Sequence, residues 1–368
     1  MPNTITAIEA IPVGLPFTQH DGPRAGFGGR VWETLDCLLV RVETSDGIIG
    51  WGDAWAYTTL TATKAALEDL ITPLAVGQSV EDITGLTTHI AKATHFFGRS
   101  GASQYALGAL DIALWDIAGK QAGLPVSRLL GGGGRTHAPS YASLFRIADT
   151  GTVRSVCEGL AADGFQAIKL HEVDPMTTLA AREGAGPDVE IMMDTNCPWN
   201  RLEAIEAARI MAPANLKWLE EPIWPPEDFD GLTELAAMGI PLAAGENIAN
   251  PDDMDRLART PGLAYAQPSV TKIGGISNFV RAGNAIGLAR KRLAPHSPYF
   301  GPGLLATLHM ASVFPDMQYV EMFGANLTEP LFDGVGLPDK DQNFAIPTGP
   351  GLGADPIPEV IEKFRLDR

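Results

Sequence analysis

Positive charge is scarce in this 368-residue chain. Its 27 Lys and Arg face 44 Asp and Glu, for a formal net charge of −17. Phosphate contact needs a basic surface, so nucleic acid is a poor candidate partner. An acidic small molecule stays open, because a metal ion and a few lysines can reverse the field locally. Cysteine is scarce too. Cys37, Cys157 and Cys197 are odd in number and lack metal-ligand spacing, which fits a reduced, cytoplasmic setting. No apolar run is long enough to span a bilayer, which argues against a membrane partner. The opening Met-Pro-Asn-Thr-Ile-Thr lacks the basic region and apolar core of a signal peptide. A phosphate loop is missing as well: Gly131–Gly134 has no strand before it and no Lys-Ser or Lys-Thr after it. At 45% hydrophobic and 19% charged residues, the chain reads as globular, with room for two domains or one large barrel with additions.

What is present centres on residues 191 to 247. Three segments there share one design: Ile191-Met-Met-Asp194-Thr-Asn196, Trp218-Leu-Glu220-Glu221-Pro222 and Ala243-Ala-Gly-Glu246-Asn247. Each is a short apolar run ending in a carboxylate, and Asp194, Glu220 and Glu246 follow one another at steps of 26 positions. One strand, one helix and two loops fill such a step. Successive parallel strands of a barrel would then each carry an acid at the C-terminal end, where barrel chemistry sits. Three converging carboxylates repel one another unless a cation lies among them. All-oxygen ligands favour a hard ion, and Mg2+ is the expected one. The alternative is three unrelated acids, each paired locally; the equal step argues against it.

In chain order, residues 4–15 and 33–55 read as antiparallel strands, with Ser45-Asp46-Gly47 as a turn. Between them His20–Gly29 is a glycine-rich loop suited to a lid or to a plain surface crossing. Residues 57–122 read as helices. Leu107, Leu110, Leu114 and Ile117 give the last one an apolar face, and Gly123 and Pro125 end it. Gly131–Gly134 then marks a boundary. Strand candidates follow at 138–144, 167–173, 190–196, 216–222, 241–247, 264–270, 292–298 and 317–323, with alanine-rich helical stretches such as Leu202–Met211 and Asn278–Leu288 between most of them. This predicts a parallel α/β barrel. The gap from 171 to 194 looks short, so a reduced helix is expected there. The Pro- and Gly-rich tail is too poor in periodic apolar residues to fold alone. The expected division is a capping domain over 1–130, a barrel over 131–330 and a tail over 331–368 that packs back on the cap.

The second strand candidate carries Lys169 and His171, which share one strand face and can both point inward. A histidine base needs little tuning, since its unperturbed pKa is roughly 6.5. Lys169 beside it would press the imidazole toward its neutral, proton-accepting form. His296, at the end of the seventh strand, could face the same mouth from the opposite side. Glu321 ends the eighth; protonated or hydrogen-bonded, it could hold a substrate oxygen that gains charge in the transition state. The combination suggests a substrate carboxylate bound at a hard cation, loss of the proton on its α carbon, and an enediolate. A second group on the other face then reprotonates that intermediate or expels a β substituent. A Lys or His base working with Mg2+ is an established solution to this problem.

These residues resemble the mandelate racemase and muconate lactonising enzyme branch of the enolase superfamily. The resemblance spans nearly the whole chain. It rests on Ile112–Lys120, Leu129–Gly132, Asp194–Asn196, Trp218–Pro222, Gly245–Asn247, Lys272–Gly275 and Gly349–Gly353. It implies an α+β capping domain over a (β/α)7β barrel, with Mg2+ held by Asp194, Glu220 and Glu246. It also implies a small carboxylate-bearing substrate and specificity from cap loops near His20–Gly29 and Trp55–Thr58. His20, Asn196 and Ser269 are the expected substrate contacts, and Lys169, His171, His296 and Glu321 the catalytic ones. Homo-oligomerisation follows by analogy alone. Two departures stand out. His171 occupies the position of the second lysine in the family's Lys-x-Lys pair. Ser269 stands where relatives place an aspartate beside the seventh-strand histidine, or a catalytic lysine. Without that carboxylate, His296 suits a general acid or hydrogen-bond donor better than a strong base. The leading expectation is therefore dehydration of a sugar acid to a 2-keto-3-deoxy acid. Racemisation, epimerisation or cycloisomerisation is second. A metal-binding barrel without catalysis, acting as a binding or scaffold protein, is third.

Overall fold

Alternation with period two decides where the side chains of the central strands go. The computed structural model describes residues 2–20 and 24–367, with residue 27 described by its backbone only. Residues 21–23 of the expected lid loop therefore lie outside the described residues. Eight parallel strands curl into one sheet: β6 (His137–Ser143), β7 (Ala167–His171), β8 (Glu190–Asp194), β9 (Trp218–Glu220), β10 (Leu242–Ala244), β11 (Leu263–Ala266), β12 (Arg292–Leu293) and β13 (Val320–Phe323). They are numbered after five strands of the cap. Their spatial order is β12-β11-β10-β9-β8-β7-β6-β13, with β13 parallel to β6. Among the described residues no backbone ladder joins β12 to β13. That seam is closed by Ser297 N–H donating to Glu321 Oε2 at 2.9 Å and Glu321 N–H donating to Ser297 Oγ at 3.2 Å. The fold is a (β/α)7β-type barrel with a separate cap.

Outward-facing Ile168, Leu170, Ile191, Met193 and Leu219 join the main core beneath the helices. Inward-facing Tyr141, Ala167, Met192, Trp218, Ala243, Tyr265 and Ala294 form a separate cluster that plugs the barrel floor. One pleat further along, the same strands place Lys169, Asp194, Glu220 and Glu321 above that plug, each at most 2% exposed. Packing thus supplies a dry floor, and the next inward layer is ionic.

The strands are shorter than expected. β12 keeps two residues of the stretch 292–298, because Pro295 has no N–H to give to a ladder. Pro222 and Pro268 limit the neighbouring strands in the same way. One expectation fails: the segment between 171 and 194 holds a ten-residue helix, Met176–Ala185, longer than the eight-residue helices Phe229–Ala236 and Pro251–Ala258. The preceding strand stops at His171, short of the expected 173, and β8 does not begin until Glu190, which leaves it the room.

The cap sheet contains β1 (Ile5–Gln19), β4 (Thr34–Thr44) and β5 (Ile49–Ala54), antiparallel, with a small ladder of β2 (Gly26–Phe27) and β3 (Arg30–Val31) in the intervening loop. The helix Ala102–Ala122 lies across β5 and is buried on almost every side, so the apolar face read from the sequence understates it. It ends at Gly123, φ 64°. Gly52 allows the close approach: a Cβ there would sit 1.9 Å from the Ala109 carbonyl oxygen. Chain segments beyond the barrel strands help to tie cap to barrel. β14 (Ala325–Leu327) continues from β13 and pairs with the end of β1. The tail contributes β15 (Asn343–Ala345), antiparallel to β6, and the helix Pro358–Phe364 packed on β1.

Candidate active site

The carboxylates of Asp194, Glu220 and Glu246 offer oxygens that all lie within 4.8 Å of one another. Asp194 and Glu220 reach the centre as the last inward residues of β8 and β9. Glu246 lies two residues past β10, turned inward by Gly245 at φ 123°, where a Cβ would also press on Leu257. Each acid is held by dedicated donors. Asn196 gives its backbone and side-chain N–H groups to Asp194 Oδ1, both at 3.0 Å. Trp218 Nε1 donates to Glu220 Oε2 at 2.7 Å. Asn247 Nδ2 reaches Glu246 Oε1 at 3.4 Å.

Lys169 Nζ stands among three carboxylates, 3.5 Å from Asp194, 3.2 Å from Glu220 and 3.1 Å from Glu321, with the centre of the Tyr141 ring 5.6 Å away. Burial favours its neutral form, but Glu220 and Glu321 outweigh that and hold its pKa well above the usual lysine value. It is therefore a fixed cation. Asp194 is also buried, yet His171 and Lys169 keep it well below the ordinary carboxylate range. Glu220 goes the other way: burial and repulsion by Asp194 push it well above, with Lys169 only partly opposing. Behind the cluster, burial and Glu246 raise Glu221 to about 8. One lysine cannot neutralise this set, and part of it resists ionisation. A divalent cation between the three acids would remove that conflict, and an all-oxygen donor set at this spacing fits one.

His171 sits at the end of β7. Its Nδ1 meets the Leu144 carbonyl at 2.6 Å, so Nδ1 carries a proton, while Nε2 faces Asp194 Oδ2 at 3.2 Å. His296 differs. Its Nε2 lies 3.4 Å from Glu246 Oε2, and its buried Nδ1 has no partner among the described residues. Burial and the nearby Lys272 hold its pKa well below the usual histidine value, so the ring is neutral. Ser269 does not touch it. The Ser269 hydroxyl pairs closely with the Tyr299 hydroxyl, which in turn donates to the His296 carbonyl at 2.9 Å. Glu321 accepts from Ser143 Oγ at 2.7 Å and from Ser297 N–H; burial would raise it, but the charge of Lys169 and the Ser143 hydrogen bond keep it below the ordinary range and ionised. Of the two conditions under which it could hold a substrate oxygen, hydrogen bonding is met and protonation is not.

Above the acids opens a cavity of about 700 Å³ lined by His171, Asn196, Glu246, His296 and Glu321 from the barrel and by Arg24, Trp32, Trp55 and Tyr57 from the cap. Both cap loops singled out in the sequence contribute, although part-buried His20 is not among the lining residues. Tyr57 ties the cap down by donating to the Pro298 carbonyl at 2.6 Å.

Several residues at the site had no assigned role in the sequence reading. Lys272 lies 3.5 Å from Glu246 and 4.3 Å from the centre of the Trp55 ring. Glu221 accepts from Asn247 Nδ2 at 2.9 Å. Its φ of 40°, with 53° at Asn196 and 56° at Cys197, gathers three left-handed non-glycine residues at one place, as functional sites often do. Glu221, Asn247 and Lys272 fall inside the motifs already quoted, so a signal existed. Tyr299 and Arg146 carried none.

Family comparisons agree with this architecture. Residues 30–131 match the mandelate racemase / muconate lactonizing enzyme N-terminal domain, and residues 152–360 match the enolase C-terminal domain-like family. The chain belongs to the mandelate racemase and muconate lactonising branch of the enolase superfamily, whose members are lyases and isomerases. More particularly, it is 30% identical to the D-galactarolactone cycloisomerase of Agrobacterium fabrum over 89% of this chain and 91% of that one. It is 32% identical to a D-galactonate dehydratase family member of Catenulispora acidiphila, over 89% and 84% of the two chains. A solved enolase-superfamily structure from Polaromonas superposes with a TM-score of 0.88 at 27% identity, covering 99% of this chain and 98% of that one. Among the described residues no helix is long and apolar enough to cross a membrane.

Proposed function

We propose that this protein dehydrates a sugar acid to a 2-keto-3-deoxy acid, with Mg2+ held by Asp194, Glu220 and Glu246. The observation that carries the reading is His171 beside that cluster. Its Nδ1 is committed to the Leu144 carbonyl at 2.6 Å, which leaves Nε2 as the proton-transfer atom next to Asp194. The cation, when bound, supplies positive charge at the substrate carboxylate and so acidifies the proton on the α carbon. Lys169 adds a fixed positive charge beneath the same group. His171 Nε2 takes the α proton. His296 is neutral and has no acceptor for Nδ1, so it suits a hydrogen-bond donor better than a second base. The protonated His171 is then the group that returns a proton to the departing β-hydroxyl, which leaves as water. The enol that remains rearranges to the ketone, and both proton transfers use one imidazole. Relatives named for D-galactonate and D-galactarolactone support a sugar-acid substrate.

Cycloisomerisation is the second reading, favoured by the cycloisomerase at 30% identity. Incubating the Mg2+-loaded protein with a panel of sugar acids in D2O separates the two. Irreversible formation of a semicarbazide-reactive ketone supports dehydration. Deuterium at the α carbon of recovered acid, or an isomeric product with no loss of water, supports the isomerase. Absence of any reaction and any exchange across the panel would remove both.

A further inference from the structure

Resting on the reading above, we propose that the substrate carries a second anionic group, a carboxylate or a phosphate ester, at the end remote from the acid triad, and that Arg146 receives it. The cavity is polarised. Its barrel side holds buried Glu246, Glu321 and His296, at 8%, 2% and 6% exposure, beside His171; Trp32, Tyr57 and Phe145 line it as well; and its two arginines, Arg24 and Arg146, are exposed. Arg24 is already engaged, paired through both terminal nitrogens to Glu33 at 3.2 and 3.0 Å. Arg146 is different. Its Nε donates to the His171 carbonyl at 3.3 Å, and among the described residues no carboxylate pairs with it. On the wall of this cavity, a guanidinium without a carboxylate partner is available to a ligand anion.

The loop that carries Arg146 is built to hold still. Glu172, 2% exposed and next to the base, accepts from the Ile147 N–H at 2.6 Å and from the Ala148 N–H at 3.0 and 3.1 Å. That clamp fixes the two peptides that follow Arg146, with Ala148 in a left-handed conformation, φ 67°. A buried carboxylate used in this way is costly unless the placement matters. The planar guanidinium keeps free N–H groups, a fork suited to two oxygens of one anion. The same cavity volume, about 700 Å³, accommodates a six-carbon acid with charge at both ends.

The test compares the Mg2+-loaded protein with its R146L and R146K variants on galactarate and 6-phosphogluconate, which have two anionic ends, and on galactonate and gluconate, which have one. We expect doubly charged acids to be favoured at least tenfold in kcat/KM. R146L should cut that preference at least tenfold, chiefly through KM, and R146K should restore part of it. The two doubly charged acids tell carboxylate from phosphate. A second readout needs no turnover: glutarate should protect the loaded wild-type protein against heat more than butyrate does, and R146L should erase the difference. Equal use of singly charged acids, or equal protection by butyrate, overturns the inference while leaving the dehydratase reading intact. If no acid of either kind reacts or exchanges its α proton, the dehydratase reading falls; protection by glutarate that depends on Arg146 would still support the anion site.

Discussion

Two imidazoles flank the acid cluster, and they are supported in opposite ways. His171 is held from behind: the Leu144 carbonyl fixes its tautomer, and the neighbouring Glu172 clamps the loop that carries Arg146. His296 has Glu246 beside its Nε2 at 3.4 Å and the Tyr299 hydroxyl on its carbonyl, while its buried Nδ1 has no partner among the described residues. An imidazole that must become a cation needs an acceptor on its far nitrogen. The first has one and the second has none. The asymmetry argues for chemistry that needs one strong base, and against chemistry that needs a base on each face.

The sharpest way to break this comparison is to remove each ring in turn. H171A should abolish α-proton exchange, by about 10³-fold or more, with metal binding retained; H296A should cost far less, about 10- to 100-fold. Exchange is followed by proton NMR in D2O. Equal losses would mean that both rings transfer protons. E246Q tests the ground on which both stand. It removes one anionic ligand, and Mg2+ affinity measured by calorimetry should fall on the order of tenfold or more. An unchanged titration would take Glu246 out of the ligand set.

The asymmetry was only half legible in the sequence. Asp194 and Glu220 could be found because an inward acid at a strand end, repeated at an equal step, follows from the pleat alone. Lys169 and His171 shared a face for the same reason. The missing carboxylate at Ser269 was visible as a gap, but what fills the gap was not. Tyr299 comes from the far side of a proline-interrupted strand, and no local pattern connects it with residue 269. Arg146 sits in a loop whose shape depends on Glu172, a buried side chain that periodicity does not see. The helix Met176–Ala185 was underestimated because the apolar pattern does not show that the preceding strand stops at His171. Local periodicity therefore recovered the first layer of the site, and the layer behind it came from tertiary contacts.

A carboxylate can be put back to sharpen the comparison further. S269D alone should change little, because the Tyr299 hydroxyl lies against residue 269 and would capture the new acid. S269D combined with Y299F frees that acid to face the seventh-strand histidine. The double variant should then gain deuterium exchange from the His296 face, several-fold above S269D, read as label in substrate recovered with its configuration inverted. No gain in the double variant would mean that His296 does not face the α carbon.

The smallest expected effect lies outside the chemistry, where cap meets barrel. Asp53 of β5 is 4% exposed and accepts from Cys37 Sγ at 3.2 Å and from the Gly303 N–H at 3.2 Å, at the start of the helix Pro302–Val313. Tyr57 and Tyr299 close the small cavity around it. Burial raises its pKa to about 7, with the Cys37 and Gly303 hydrogen bonds opposing. Unfolded, the group titrates near 3.9. Between about pH 4 and pH 7 the folded chain thus holds a proton that the unfolded chain has lost, so stability falls as pH rises through that window and levels off above it. Asp111, raised to about 7 chiefly by burial, acts with the same sign. Glu221, raised to about 8, adds to the same trend, and D53N removes one contribution among these. Its amide oxygen can still accept from Gly303, and its NH2 can turn to the Cys37 sulfur. Urea denaturation at pH 5 and pH 8 should show the wild type losing stability between the two, and D53N losing less, by on the order of 1–3 kcal/mol. Because neither Asp53 nor Asp111 touches the acid triad, the pH dependence of α-proton exchange should be the same in D53N as in the wild type. A profile that shifted with Asp53 would mean that the cap and the two imidazoles titrate as one unit, and the contrast between them would need a cause beyond their immediate neighbours.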